Sequence, residues 1–345
     1  MRITITKSSK IYILAPGNVP SGGPEALHQL HYYLTTLGYK SRISYYSDPV
    51  VHPQFLIYEP KVIDIAEIQD SPDNILIVPE INTSILKNYS KIRKCIWFLG
   101  VQLYDGFETL SDSKFLQLKT KIVKLTPNFF LKTRQKILQS FFKQKFDKQP
   151  YLVSKKDNIL CGSMFAYEFA KSNFKNVTLL VEPLGLGFLG ENNVDLSSKN
   201  RSDSVLYNPS KNSKTLQKLL KRTDIIFKPI SGYQDFELVD LFRNSKLYID
   251  FGFFGGPERL PKETVLNGTM LLVGKRNASV NSFDIAIPDK YKIEDADDIE
   301  FIASKIKQML LDYDQIIGDF RGFREKIINL EPNFIKSIKS IFIKA

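Results

Sequence analysis

The segment FGFFGGPERLPKE, residues 251–263, ends in four charged side chains, Glu258, Arg259, Lys262 and Glu263, directly behind Gly255, Gly256 and Pro257. An arginine and exposed turn amides suit a diphosphate, and an ionised carboxylate accepts both hydroxyls of a ribose with its two oxygens. On that reading Arg259 meets phosphate, Glu263 meets ribose, and Glu258, Lys262, Gly255 and Gly256 line the same nucleotide site. On the plainer reading Glu263 complements a helix dipole, and Arg259 and Lys262 are solvated. Pro261 suits the first helical position, which puts Lys262 and Glu263 in the first turn and Arg259 just outside it. A further cation, Lys211, follows Asn208 by three residues in YNPSKNS, residues 207–213, and both are candidates for contact with the donor nucleotide. Lys211 follows an apolar strand-like run, and ligands of open α/β sheets bind at the carboxyl ends of strands.

A comparable turn occurs near the start, in PGNVPSGGPEALHQL, residues 16–30. Gly22 and Gly23 let backbone amides approach a ligand, Pro24 suits the first helical position, and a helix amino end carries positive partial charge. Glu25 and His28 follow at once, so Gly22, Gly23, Glu25 and His28 form a candidate phosphate or acceptor loop. A purely structural tight turn explains the glycines equally well. The segment lacks the GxGxxG fingerprint, which removes the best support for nicotinamide-dependent redox chemistry. His28 and His31 are three residues apart, and His52 is the remaining histidine. With no third ligand nearby no metal is expected; His28 reads as a packed or capping residue and His31 as a helix-surface one. The acids of EDADD, residues 294–298, precede a helix-like run and complement its dipole.

These residues need a frame. The chain has 345 residues, longer than one core usually grows, with 43% hydrophobic and 25% charged residues. Apolar strand-like runs at 11–15, 42–46, 74–78, 95–99, 158–161 and 177–181 alternate with helix-like segments at 24–37, 83–89 and 164–172. After a Gly-, Asn- and Ser-rich stretch at 182–203 the alternation restarts. Strands are expected at 205–207, 225–227, 247–251, 270–273 and 285–287, and helices at 213–221, 235–244, 261–267 and 297–311. This is the pattern of parallel sheets wrapped by helices, in two tandem doubly wound units with a cleft between them. The expected boundaries are 1–190 and 203–325, with a helix at 326–345 that crosses back to the first domain. Cys95 and Cys161 lie in apolar surroundings without CxxC spacing and read as buried thiols. The apolar run at the amino end is too short for a signal-peptide core, which points to the cytosol.

The net charge of +11 is concentrated: residues 114–148 carry ten Lys or Arg against one acid. Phenylalanines recur there at helical spacing opposite the cations, as in a basic amphipathic helix inserted into the first domain. Either it is an ordinary surface helix or it touches an anionic membrane surface. No nucleic-acid fold signature accompanies the charge, so nucleic acid is not an expected partner.

Taken together these segments resemble GT-B glycosyltransferases, and more narrowly the family 4 type of bacterial surface-polysaccharide clusters. SGGPEALHQLHYYLTTLGYKSRISYY resembles the opening of the amino-terminal domain of that class, VLYNPSKNS its carboxyl-terminal entry strand, and GGPERLPKETVLNGTMLLVG its signature block. IWFLGVQLYDG, residues 96–106, resembles a Trp-containing strand and loop of a subgroup of polysaccharide transferases. The resemblance implies an α/β GT-B fold of two Rossmann-like doubly wound domains facing a central cleft. By position it gives Glu263 the ribose, Lys211 the donor diphosphate, and Gly22 and Gly23 the loop facing donor phosphates and acceptor. The first glutamate of the family's Glu-x7-Glu motif is replaced by Gly255, so the donor sugar must meet other groups, such as the backbone of Gly255 and Gly256 or the Glu258 side chain. Arg259 stands in for the arginine of the family's Arg-Lys pair.

The activity so implied is transfer of a sugar from a nucleotide-sugar donor to a glycan or lipid-linked acceptor at the inner membrane face, with retained anomeric configuration and no metal or other cofactor. Lys211 and Arg259 are the expected catalytic cations, because charge grows on the departing diphosphate. Two alternatives stay open: a nucleotide-sugar epimerase, and a non-catalytic membrane-docking or glycan-binding subunit.

Overall fold

The computed structural model describes residues 1–104, 151, 153–188, 194–233, 235–294 and 296–345. The basic stretch 114–148 lies outside them. The chain divides into two compact units, one of residues 1–182 with 334–345 and one of residues 183–333.

The first unit contains β1 (Ile3–Ile5), β2 (Lys10–Ala15), α1 (Gly22–Thr36), β3 (Lys40–Tyr45), β4 (Ile75–Pro79), β5 (Arg93–Phe98), β6 (Asn158–Cys161), α2 (Met164–Asn173) and β7 (Asn176–Leu179). Its main sheet is parallel, in the order β3-β2-β4-β5-β6-β7. Near-continuous apolar strands such as ILIVP are what a parallel sheet covered on both faces requires. Alternation along β2 divides the core. Ile11, Ile13 and Ala15 pack with Leu27, Leu30 and Leu34 of α1 and with Trp97, whereas Tyr12 and Leu14 pack with Val78, Phe98, Ala166 and Ala170. Gly38 ends α1 with φ +79°, as expected of a glycine just past a helix.

The second unit contains β8 (Ser202–Tyr207), α3 (Lys214–Leu219), β9 (Phe227–Pro229), α4 (Asp235–Arg243), β10 (Ser245–Asp250), α5 (Arg259–Leu266), β11 (Met270–Gly274), β12 (Lys292–Ile293), α6 (Ile299–Leu311) and α7 (Arg321–Ile328). Its sheet is also parallel, in the order β12-β11-β10-β8-β9. The helix α8 (Leu330–Ile341) contains the boundary at Phe334, and β13 (Phe342–Lys344) pairs in parallel with β1 in the first unit.

Three sequence expectations need correction. Residues 285–287 form no strand; Asn281 Oδ1 accepts the amides of Phe283 and Asp284, closing a turn, and β12 pairs with β11 instead. Residues 83–88 belong to 3-10 turns over Glu80–Asn88, broken at Asn82 (φ −131°, ψ 44°), and not to an α-helix, and Tyr89 is already extended. The amino-terminal run makes two strands, because the Thr6–Ser9 turn separates β1 from β2. Among the described residues no helix is long and apolar enough to cross a membrane.

Candidate active site

The chain leaves β8 for β9 on one flank and returns to place β10 on the other, so β8 and β10 are the neighbours between which the winding reverses. The crevice outside their carboxyl ends is where such sheets bind ligands. β8 runs into a turn in which Asn208 Oδ1 accepts the Ser210 amide at 2.9 Å and the Asn208 carbonyl accepts the Lys211 amide at 3.1 Å. This tight turn brings Lys211 back over the end of β10. Its Nζ lies 3.1 Å from Asp250 Oδ2, 3.1 Å from Glu258 Oε2 and 4.4 Å from the centre of the Phe254 ring.

Asp250, the last residue of β10, is the only charged residue in the apolar run 247–254. Its Oδ1 accepts the Gly252 amide at 2.9 Å, and its Oδ2 accepts the Tyr248 hydroxyl at 3.1 Å. Burial pushes the Asp250 carboxyl up, while Lys211 and the Gly252 amide pull against it. Burial also opposes a charge on Lys211, but Glu258 and Asp250 outweigh it and hold the ammonium above its ordinary pKa. Residue 252 must be glycine, because a Cβ there would stand 2.9 Å from Lys211 Cβ and 3.2 Å from Asp250 Oδ1.

Glu258 sits at the amino end of α5 with φ +53° and ψ 152°, and its Oε1 accepts the Gly255 amide at 2.9 Å. The helix begins at Arg259, two residues earlier than Pro261 predicts, so Arg259 is inside the first turn. Arg259 Nε donates to Glu263 Oε1 at 2.8 Å, and its guanidinium lies 5.8 Å from the Phe188 ring centre. Lys262 and Glu263 are buried, at 2% and 1% exposure, which removes the plainer reading of a solvated Lys262. Gly255 and Gly256 are buried as well.

The structure therefore brings Lys211, Glu258 and Gly255 into direct contact, with Asn208 in the adjoining turn, and pairs Arg259 with Glu263 one turn along α5. Sequence reasoning missed Asp250 and Tyr248. The signal for Asp250 was its isolation at the end of an apolar strand.

The amino-terminal candidates belong to the first unit. α1 begins at Gly22, and a side chain at residue 23 would approach Leu99 at 3.9 Å, so neither steric exclusion nor a positive φ demands glycine there. Glu25 is buried and accepts the Tyr58 hydroxyl at 2.8 Å. His28 donates from Nδ1 to the Pro24 carbonyl at 2.7 Å, accepts the Tyr45 hydroxyl at Nε2 at 2.8 Å, and stacks on Phe55. His31 is buried, contrary to the surface position expected of it. Its Nε2 accepts the Lys61 amide at 3.0 Å, and its Nδ1 donates to Ser41 Oγ at 2.9 Å. Burial holds the pKa of His28 down at about 4 and that of His31 at about 3. Both are neutral residues whose two ring nitrogens are already used. Among the described residues no group of three His, Cys, Asp or Glu could hold a metal ion. Cys95 and Cys161 are buried free thiols, pushed up by burial.

Glu80 is a second buried acid that the sequence did not single out. It follows β4, at the β2/β4 position where the first sheet reverses its winding, and accepts the amides of Leu99 and Gly100 at 3.0 and 2.8 Å. It thereby fastens the loop after β5 to the end of β4.

No family model matches the sequence, and no curated protein is significantly similar to it. Solved structures are similar in fold. Sucrose-phosphate synthase from Thermosynechococcus elongatus superposes with a TM-score of 0.60 at 11% identity, covering 96% of this chain and 97% of that one. HepE of Anabaena, solved with UDP-glucose, gives 0.58 at 10% identity, covering 96% and 100%. Its complex with UDP gives 0.57 at 12% identity with the same coverage. With two parallel, helix-wrapped sheets in one polypeptide, this chain has the GT-B fold of Rossmann-like units that those proteins share.

Proposed function

We propose that the chain is a glycosyltransferase that moves a sugar from a nucleotide-sugar donor to a glycan or lipid-linked acceptor. The observation that carries this reading is a charged lysine, Lys211, held by two carboxylates at the β8/β10 reversal point of a GT-B fold. Breaking the bond between sugar and diphosphate leaves negative charge on the departing oxygen, and a preorganised cation stabilises that charge where water is scarce. Lys211 takes the diphosphate, Arg259 assists it, and the turn through Asn208 delivers Lys211 to its place. Gly255 and Gly256 offer backbone to the donor, Lys262 lines the nucleotide site with them, and Glu263 holds the ribose once Arg259 yields. Sugar hydroxyls meet Gly255, Gly256 and Glu258. The loop of Gly22 and Gly23, with Glu25 and His28 following in α1, receives the donor phosphates or the acceptor. A cation on the departing diphosphate does the work a metal would do elsewhere and so supports a metal-independent reaction; retained configuration and a role in surface-polysaccharide synthesis follow from the resemblance to family 4 transferases, and the composition of residues 114–148 supports contact with an anionic inner-membrane surface.

Calorimetric titration with UDP and GDP, and with their sugars, tests the donor site. Lys211→Ala is expected to abolish binding with an unchanged circular-dichroism spectrum; wild-type affinity in that variant would overturn the reading. Product analysis separates transfer to an acceptor from epimerisation of the donor. Transfer is expected to persist in a chelator.

A further inference from the structure

The two carboxylates on Lys211 are unequal. Asp250 is 1% exposed at its side chain, ends a central strand and is tied to Tyr248 and Gly252 as well as to Lys211. Glu258 is 27% exposed at its side chain and stands in a loop, with one oxygen on the Gly255 amide and the other on Lys211 Nζ. A backbone amide in a glycine-rich turn and an ammonium are the donors that hold a phosphate oxygen. We propose that Glu258 is a resident anion: its carboxylate occupies the place of the donor's diphosphate, and donor binding exchanges one for the other. Asp250 stays behind as the positioning residue that keeps Lys211 aimed.

Local charge favours the exchange, and in that respect the inference rests on the function proposed above. With both acids in place, the Lys211 ammonium is shared between two carboxylates, which leaves it less positive charge to offer an arriving diphosphate. With Glu258 withdrawn, Lys211 balances Asp250, and its ammonium and the Gly255 amide are open to the ligand. The backbone points the same way. Glu258 has φ +53° with ψ 152°, a conformation that glycine adopts freely and other residues adopt under strain. Strain of this kind persists where surrounding contacts hold it, and the two that a phosphate would replace are among the contacts of Glu258. Release of the carboxylate frees the loop to relax.

Inorganic pyrophosphate and UDP are the probes, because neither carries a sugar and any role of Glu258 toward sugar hydroxyls stays out of the measurement. Titration calorimetry on the full chain compares wild type with Glu258→Gln, Glu258→Gly and Lys211→Ala. Removing a competing internal anion is expected to tighten both probes by about tenfold in Glu258→Gln. Glu258→Gly, which also relieves the strained backbone, is expected to tighten them at least as much and serves if the glutamine variant fails to fold. A residue that merely supported the loop would weaken binding when replaced. Unchanged or weaker affinity in both Glu258 variants, with binding still abolished in Lys211→Ala, overturns the exchange and leaves the donor site standing. Wild-type affinity in Lys211→Ala overturns the donor site and the exchange together.

Discussion

Lys211 keeps its charge where burial opposes it because two carboxylates outweigh the loss of hydration. Asp250 is the buried member of that set, and removing one partner of a buried pair is more damaging than removing both. Asp250→Asn is therefore expected to lower stability by roughly 3 kcal/mol in urea unfolding, and to weaken pyrophosphate binding by misplacing Lys211. Its isolation in an apolar run marks it in the sequence, but its pairing with Lys211 was visible only once β8 and β10 were known to be neighbours. His28 and His31 carry a pH dependence of their own. Their folded pKa values, about 4 and about 3, lie below the ordinary 6.5, so the unfolded chain binds more protons in the window between. Their contribution is complete above pH 6.5 and is lost as pH falls toward about 4 for His28 and about 3 for His31. The urea midpoint is expected to drop between pH 7 and pH 5, and to drop less in His31→Asn.

At the scale of elements, two glycines with positive φ end helices but differ in what surrounds them. Gly38 follows α1 with φ +79°, and a Cβ there would meet only the tip of Lys344, at 3.4 Å. Gly268 follows α5 with φ +82°, and its Cβ would fall 2.4 Å from a guanidinium nitrogen of Arg201. That guanidinium is held by the carbonyls of Asp195, Phe242, Ser245 and Asn267 and has little freedom to move. Gly38→Ala is expected to destabilise by about 1 kcal/mol, the backbone term alone. Gly268→Ala is expected to exceed it by at least another 1 kcal/mol in the same urea assay. The stop at Gly38 was readable because a glycine followed an amphipathic run. The start of α5 was not: Pro261 marked a first helical position, yet Arg259 and Leu260 are already helical. A proline is tolerated anywhere in the first turn, where amides lack intrahelical partners, so it locates a helix start only loosely.

At the scale of the whole molecule, the last strand returns to the first unit. β13 pairs with β1, Phe342 is fully buried, and the Tyr39 hydroxyl donates to its carbonyl. The single tryptophan of the chain, Trp97, packs in the same core against Phe334. Phe342→Ala is expected to lower stability by about 3 kcal/mol, read as an earlier transition in Trp97 fluorescence. An unshifted transition would show that β13 is dispensable to the first unit.

The alternation of apolar runs with helical segments was enough to establish parallel α/β architecture and most strand positions, because strands buried on both faces must be apolar almost throughout. It also marked Lys211, Glu258 and Gly255 as candidates, since charge beside glycine at a strand-to-helix turn is a local pattern. Pairing lay beyond it. That Asp250 belongs with Lys211, that Glu263 is spent on Arg259, that Phe342 meets Ile3, and that Glu258 bends back with positive φ are contacts between residues apart in the chain or strains imposed from outside the segment. Strand order decides the long-range contacts, and no periodicity within a segment encodes which strand becomes its neighbour.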